Sequence, residues 1–317
     1  MAFLVGADKI SLQYPGKVIF DEASFSLNTG DRIGVVGANG EGKSSLLKLL
    51  AKEISPDSGR ILHTNNTTFS HLKQHDDLDE ELSVTRNIFA LSPEYVWASN
   101  PKIRAILNGL IADINWEEKV KNLSGGQRRR VDLCKVLVGD YDLILLDEPT
   151  NHLDIQTVNW LARHLKNRWS KGNGALLVVS HDRWFLDFLA LDMWEVHDGK
   201  VEHFEGGYSA YIQQRAERQE LALKAEAKRQ NFLRKELYWL SRVLPDAAKK
   251  PRFRIDAAKE MLAKDPPPRN ALELKSLSVS RLGKQVITFK HVSKSIGSKL
   301  IFDDVNFDIK AGDRIGL

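Results

Sequence analysis

The segment Arg32–Ser44, RIGVVGANGEGKS, leaves little freedom in how the chain around it can fold. A short apolar run leads into glycines at 37, 40 and 42, and SLLKLLAK follows with its leucines at helical spacing. Glycines let consecutive backbone N–H groups curl around an anion, and a helix beginning at Lys43 turns its positive end toward the same point. Lys43 has the reach to meet the outer phosphates of a nucleotide. Ser44 offers a hydroxyl to a magnesium ion. Asn39 and Ser45 belong to the same loop and are read as further phosphate contacts, with Gly37, Gly40 and Gly42 shaping it. A strand, loop and helix in this order need a parallel sheet, so the expected class is α/β.

Two more runs fit that sheet. LILLDE (Leu143–Glu148) and ALLVVS (Ala175–Ser180) are continuously apolar, as strands covered on both faces must be. The first ends in two carboxylates. Asp147 is placed to hold the metal, directly or through water, and Glu148 to orient or deprotonate an attacking water. Asp-Glu after a strand is often only a helix cap, a reading that weakens beside a phosphate loop. NLSGGQRRRV (Asn122–Val131) sets Ser124, Gly125, Gly126 and Gln127 at the start of an apolar helix. That is a second anion site, although an ordinary serine N-cap would look the same.

At 317 residues the chain has room for about two domains. Strands and helices alternate through 1–213. Residues 214–264 then lack glycine, and Leu233, Leu237, Leu240 and Leu244 form one helical stripe. Pro245-Asp246 and later DPPP break the helix, which gives an antiparallel hairpin with a basic turn. From Arg215 to Lys264 there are 14 Lys/Arg against 7 Asp/Glu, a balance of +7 in a chain of net +4, so the remainder stands at −3. A polyanion would meet that segment first, through Lys249, Lys250, Arg252 and Arg254, with Phe253 able to stack on a base. A solvated, salt-laced helix is the plainer alternative. Near the end, Lys299–Gly316 repeats Lys17–Gly34 at ten of eighteen positions. One cysteine, Cys134, rules out an internal disulfide and a multi-cysteine metal site, and points to a reducing cytoplasm. No apolar run approaches the ~18 residues of a membrane span, and the N-terminus has no signal-sequence pattern.

In order along the chain, these motifs resemble those of the ATP-binding cassette family. Gln74 in LKQHDD resembles the Q-loop residue that touches magnesium or the lytic water. LSGGQ is similar to the family signature, Asp154 in NHLD to its D-loop aspartate, and His181 in SHDRWFL to its switch histidine. Tyr14 stands where the family stacks an aromatic ring on adenine, and it could equally be packing. EPTNHLD, SHDRWFL and the charged hairpin resemble the ABC-F class of tandem cassettes, nearest to its Uup-like subgroup. The resemblance implies a P-loop ABC cassette over 1–213 with a small helical subdomain at about 79–122. A hairpin linker over 214–269 follows, and then an incomplete second cassette over 270–317 that stops before its own phosphate loop.

The implied ligands are ATP and Mg²⁺, with Glu148, Gln74 and His181 catalytic and Ser44, Gln74 and Asp147 at the metal. The signature Ser124–Gln127 would contact the ATP of a facing cassette, which a homodimer could supply. This chain alone is expected to bind ATP and hydrolyse it poorly. The linker is expected to meet the ribosome or structured nucleic acid. Only 48 residues separate Gln74 from Leu123, so the long arm common in ABC-F proteins is expected to be absent. The alternative is the ATPase subunit of a membrane ABC transporter, which needs neither the repeat nor the hairpin.

Overall fold

A strand with apolar residues on both faces can bury them only between two layers, and three such strands set the architecture of this chain. The computed structural model describes residues 2–90, 97–242, 285–296 and 299–310. Its chain divides into two compact units, Met1–Leu223 and Lys224–Leu317.

In the first unit, β1 (Phe3–Tyr14), β2 (Lys17–Asn28) and β4 (Ser58–His63) make an antiparallel sheet in the order β2-β1-β4. The larger sheet contains β3 (Arg32–Val36), β5 (Phe69–Leu72), β6 (Leu143–Asp147), β7 (Ala175–Val179), β8 (Asp192–His197) and β9 (Lys200–Glu205). Its order is β5-β6-β7-β3-β8-β9, parallel except where β9 returns antiparallel along β8. Side-chain alternation along the central strands divides the apolar residues between two cores. Leu143, Leu145, Leu177, Val179, Ile33 and Val35 pack with α1 (Lys43–Leu50) and the antiparallel sheet. Ile144, Leu146, Leu176, Val178 and Met193 pack on the opposite face with the remaining helices. On that face β3 carries Gly34, where a Cβ would sit 2.6 Å from the Met193 sulfur, so a side chain there would displace the ends of Met193 and Leu186.

The second face is covered by α2 (Val84–Phe89), α3 (Pro101–Leu110), α4 (Gly125–Leu137), α5 (Ile155–Asn167) and α6 (Arg183–Leu189). Each starts on a side chain suited to the task. Ser83, Asn100, Ser124, Asp154 and Asp182 accept hydrogen bonds from N–H groups of the first turns, and Pro101 opens α3 where its missing donor is not needed. Phe89 stacks on Trp97 at 4.3 Å between ring centres, which closes the small helical region onto the core.

The first unit also contains the start of α7 (Tyr208–Arg242), a 35-residue helix. Asp187 receives the backbone N–H and hydroxyl of Ser209, Arg215 meets the buried Glu195 at 3.2 Å, and Arg218 meets Glu202 at 3.1 Å while lying over Phe204. The expected turn of the hairpin, with Lys249, Lys250, Arg252, Phe253 and Arg254, lies outside the described residues.

In the second unit, β10 (Gln285–Ile296) pairs antiparallel with β11 (Lys299–Lys310). This hairpin matches β1–β2 pair for pair at an offset of 282 residues: Phe3↔Asn28 becomes Gln285↔Lys310, Ile10↔Ala23 becomes Val292↔Val305, and Tyr14↔Lys17 becomes Ile296↔Lys299. The irregularities recur too. Lys9 and Glu22 have left-handed φ of 47° and 48°, and their counterparts His291 and Asp304 have 49° and 45°. The bonds that hold those kinks are also repeated. Ser24 accepts from the Lys9 N–H and Asn306 from that of His291, while Ser11 accepts from the Glu22 N–H and Ser293 from that of Asp304. The kinks belong to the hairpin, since four different residue types adopt them.

Candidate nucleotide site

The loop after β3 turns sharply into α1 at Gly42. With φ of 104° and an added Cβ only 2.4 Å from Ile19, no other residue fits there. Lys43, nearly buried, folds back over the loop and donates to the carbonyls of Gly37 (2.8 Å) and Ala38 (3.1 Å). Burial lowers its pKa, against the opposing charges of Glu148, Asp147 and Glu41.

Beside this loop opens a cleft of about 540 Å³. It gathers Tyr14, Asn39, Gly40, Gly42, Lys43, Ser44 and Ser45 from the first third of the chain with Gln74, Asp147, Glu148 and His181 from three later segments. Gly37 contributes through its carbonyl to Lys43. Asp147 ends β6 and is 3% exposed. Glu148 follows in the left-handed region at φ 48°, and its N–H is held by the Val179 carbonyl at 2.9 Å. One of its oxygens accepts from the His181 N–H at 3.3 Å. The other, Oε1, is buried without a hydrogen bond and lies 3.4 Å from His181 Nε2. Burial pushes the Glu148 carboxyl above the usual range, and His181 pulls it partly back. A carboxylate so raised is a better proton acceptor at neutral pH.

The residues expected at a facing nucleotide stand elsewhere. Ser124 and Gln127 form a capping box: Ser124 Oγ accepts from the Gln127 N–H at 3.4 Å and Gln127 Oε1 from the Ser124 N–H at 2.9 Å. Ser124 and Gly125 are exposed at the start of α4, and neither they nor Gly126 and Gln127 line the cleft. Asp154 is likewise outside it. Its two oxygens accept from the N–H (2.8 Å) and hydroxyl (2.9 Å) of Thr157, which holds its pKa down. Asn151 and Ile19 line the cleft without having been singled out in the sequence. Asn151 follows three residues after Glu148, a proximity that could have flagged it.

The donor set suits magnesium and a triphosphate. A hydroxyl (Ser44), an amide (Gln74) and a carboxylate (Asp147) share the cleft with an unpartnered Glu148 oxygen and a lysine. Magnesium at such sites takes few protein oxygens and completes its shell with phosphates and water. Accordingly, among the described residues no three His, Cys, Asp or Glu cluster to hold a metal by themselves.

A parallel sheet with a phosphate loop at one strand end, an acidic pair at its neighbour and an antiparallel sheet beside them is the fold of an ATP-binding cassette. The chain belongs to the ABC transporter family: residues 20–151 and 194–275 each match a family model described as ABC transporter. Among curated relatives, the uncharacterized ABC transporter ATP-binding protein YfmR of Bacillus subtilis is 31% identical over 99% of this chain and 55% of its own length. The energy-dependent translational throttle protein EttA of Mycobacterium tuberculosis is 31% identical over 99% of this chain and 62% of its own. The chain thus spans little more than half the length of these relatives. A dimeric post-hydrolysis ATP-binding cassette bound to ADP and phosphate superposes with a TM-score of 0.57, covering 64% of this chain and 98% of that one at 21% identity.

Proposed function

We propose that this chain is an ABC-F-type ATPase that binds Mg-ATP in the cleft, hydrolyses it, and uses nucleotide-dependent closure against a second cassette to drive its basic linker onto the ribosome or structured nucleic acid in the cytoplasm. The observation that carries this reading is the division of the motifs: Lys43, Ser44, Gln74, Asp147, Glu148 and His181 share one cleft, while Ser124–Gln127 lie outside it. A cassette built so needs a facing copy to complete each nucleotide site.

In this scheme Lys43 and the loop N–H groups hold the outer phosphates, and Tyr14 supplies a surface for the base. Magnesium, held by Ser44, Asp147 and Gln74, would neutralise phosphate charge. Glu148 accepts the proton of the attacking water, and His181, within reach of its carboxylate, keeps that carboxylate aimed into the cleft. The name of the EttA relatives refers to translation, which supports the ribosome as the macromolecular partner.

Glu148→Gln tests the scheme. Nucleotide binding should survive, turnover should fall by at least about a hundredfold, and the variant should co-sediment with ribosomes or bind branched nucleic acid only with ATP present. Undiminished turnover would remove Glu148 from the chemistry. Binding of neither partner with ATP would remove the output.

A further inference from the structure

A buried guanidinium ties the site together from behind. Arg129, in the second turn of α4, is 6% exposed. Its Nη1 donates to the carbonyl of Lys73 at 2.7 Å, and Nη2 to the carbonyls of Asp147 at 2.7 Å and Glu148 at 3.0 Å. Asp132, one turn further along the same helix, lies 3.5 Å away and balances the charge. Three backbone carbonyls on two separate segments are thus gathered on one side chain. One belongs to the residue before Gln74, and the other two to the acidic pair. Arg129 itself stands two positions after Gln127 on the helix that opens with the exposed serine and glycines.

We propose that Arg129 is a positioning residue for hydrolysis, fixing Gln74 and Glu148 to one another and to the helix that begins at Ser124. The inference rests on the ATPase reading given above. Glu148 has left-handed backbone angles that a non-glycine residue adopts only when its surroundings impose them. Its N–H is held by Val179 and its carbonyl by Arg129, so both of its peptide groups are fastened and the carboxylate direction follows. A planar guanidinium can serve carbonyls from two segments at once, whereas an ammonium cannot reproduce that fork. Because the same side chain is rooted in α4, a shift of that helix on engagement of Ser124–Gln127 is carried to Glu148 and Gln74 together. The carbonyls do not lie at helix termini awaiting a cap, and the Asp132 ion pair alone would need no contact with them.

The test compares wild type, Arg129→Lys, Arg129→Met and Asp132→Asn in the full 317-residue chain. Hydrogen exchange is followed in peptides spanning 71–76 and 145–151, alongside binding of a fluorescent ATP analogue and steady-state turnover. Both Arg129 variants should speed exchange in both segments by about tenfold, and Asp132→Asn should not. Nucleotide affinity and KM should stay within about threefold while kcat drops by about 10- to 100-fold, the scale of an ångström's misplacement of a catalytic group. If Arg129→Met does not fold, Arg129→Lys, which keeps the charge without the fork, decides. Unchanged exchange in both segments would reduce Arg129 to an ion-pair partner of Asp132 and overturn the inference. A wild-type chain that turns over no faster than Glu148→Gln would instead refute the ATPase reading, and the exchange data would still decide Arg129.

Discussion

His164 on α5 shows how a single side chain can set acid sensitivity. Its ring lies nearly parallel to Trp160, 4.9 Å between centres, and its Nε2 faces the Arg168 guanidinium at 3.2 Å. Arg168 is itself committed, donating to the carbonyls of Leu137 and Gly139 at the end of α4. Burial, and then the adjacent cation, lower the imidazole to about 4. In the unfolded chain it titrates near 6.5, so between those values the unfolded state binds the proton and the folded state does not. Stability therefore rises with pH through this window and is lost as pH falls from about 6.5 toward 4, by about 2 kcal/mol at pH 5. Urea melts of His164→Gln should lose about that much less stability than wild type between pH 8 and pH 5. An identical pH dependence in the two proteins would show that the ring is not held neutral.

Among the elements, helix starts are where structural and functional readings overlap. Asp154 caps α5 with both oxygens, so Asp154→Ala should cost about 1 kcal/mol, or about 2–4 °C in Tm, while Asp154→Asn keeps an acceptor and should melt near wild type. If both variants melted like wild type, the cap would contribute nothing. Elements such as these were legible in the sequence to different degrees. The runs at Leu143–Leu146 and Ala175–Val179 announced buried strands because both faces are covered. The glycine loop fixed its own strand and helix, and with them most of the cleft. The antiparallel sheet was less visible, because β1 and β2 are half exposed and kinked, so alternation is interrupted at Lys9 and Glu22. Arg129 gave no signal beyond one arginine among three, since a side chain that bonds backbone carbonyls of distant segments leaves no pattern in its own neighbourhood. Asn151 is hidden for the converse reason, standing inside a motif whose neighbours carry the pattern.

For the whole molecule, the proposed function makes association the controlling variable. Since Ser124–Gln127 do not reach their own cleft, turnover per chain should climb with protein concentration, and Glu148→Gln should form a dimer with ATP by sedimentation velocity. Ser124→Arg should block both. A rate independent of concentration, from a species that sediments as a monomer, would contradict the shared site. The capping box bears on how readily such a pairing would come apart. The amide of Ser124 is already satisfied by Gln127, so an incoming phosphate oxygen would displace an existing partner instead of meeting an idle donor. Swapping one bond for another changes free energy by only about 1 kcal/mol. A contact made on those terms could be released without stranding any group, as the proposed cycle of closing and reopening requires.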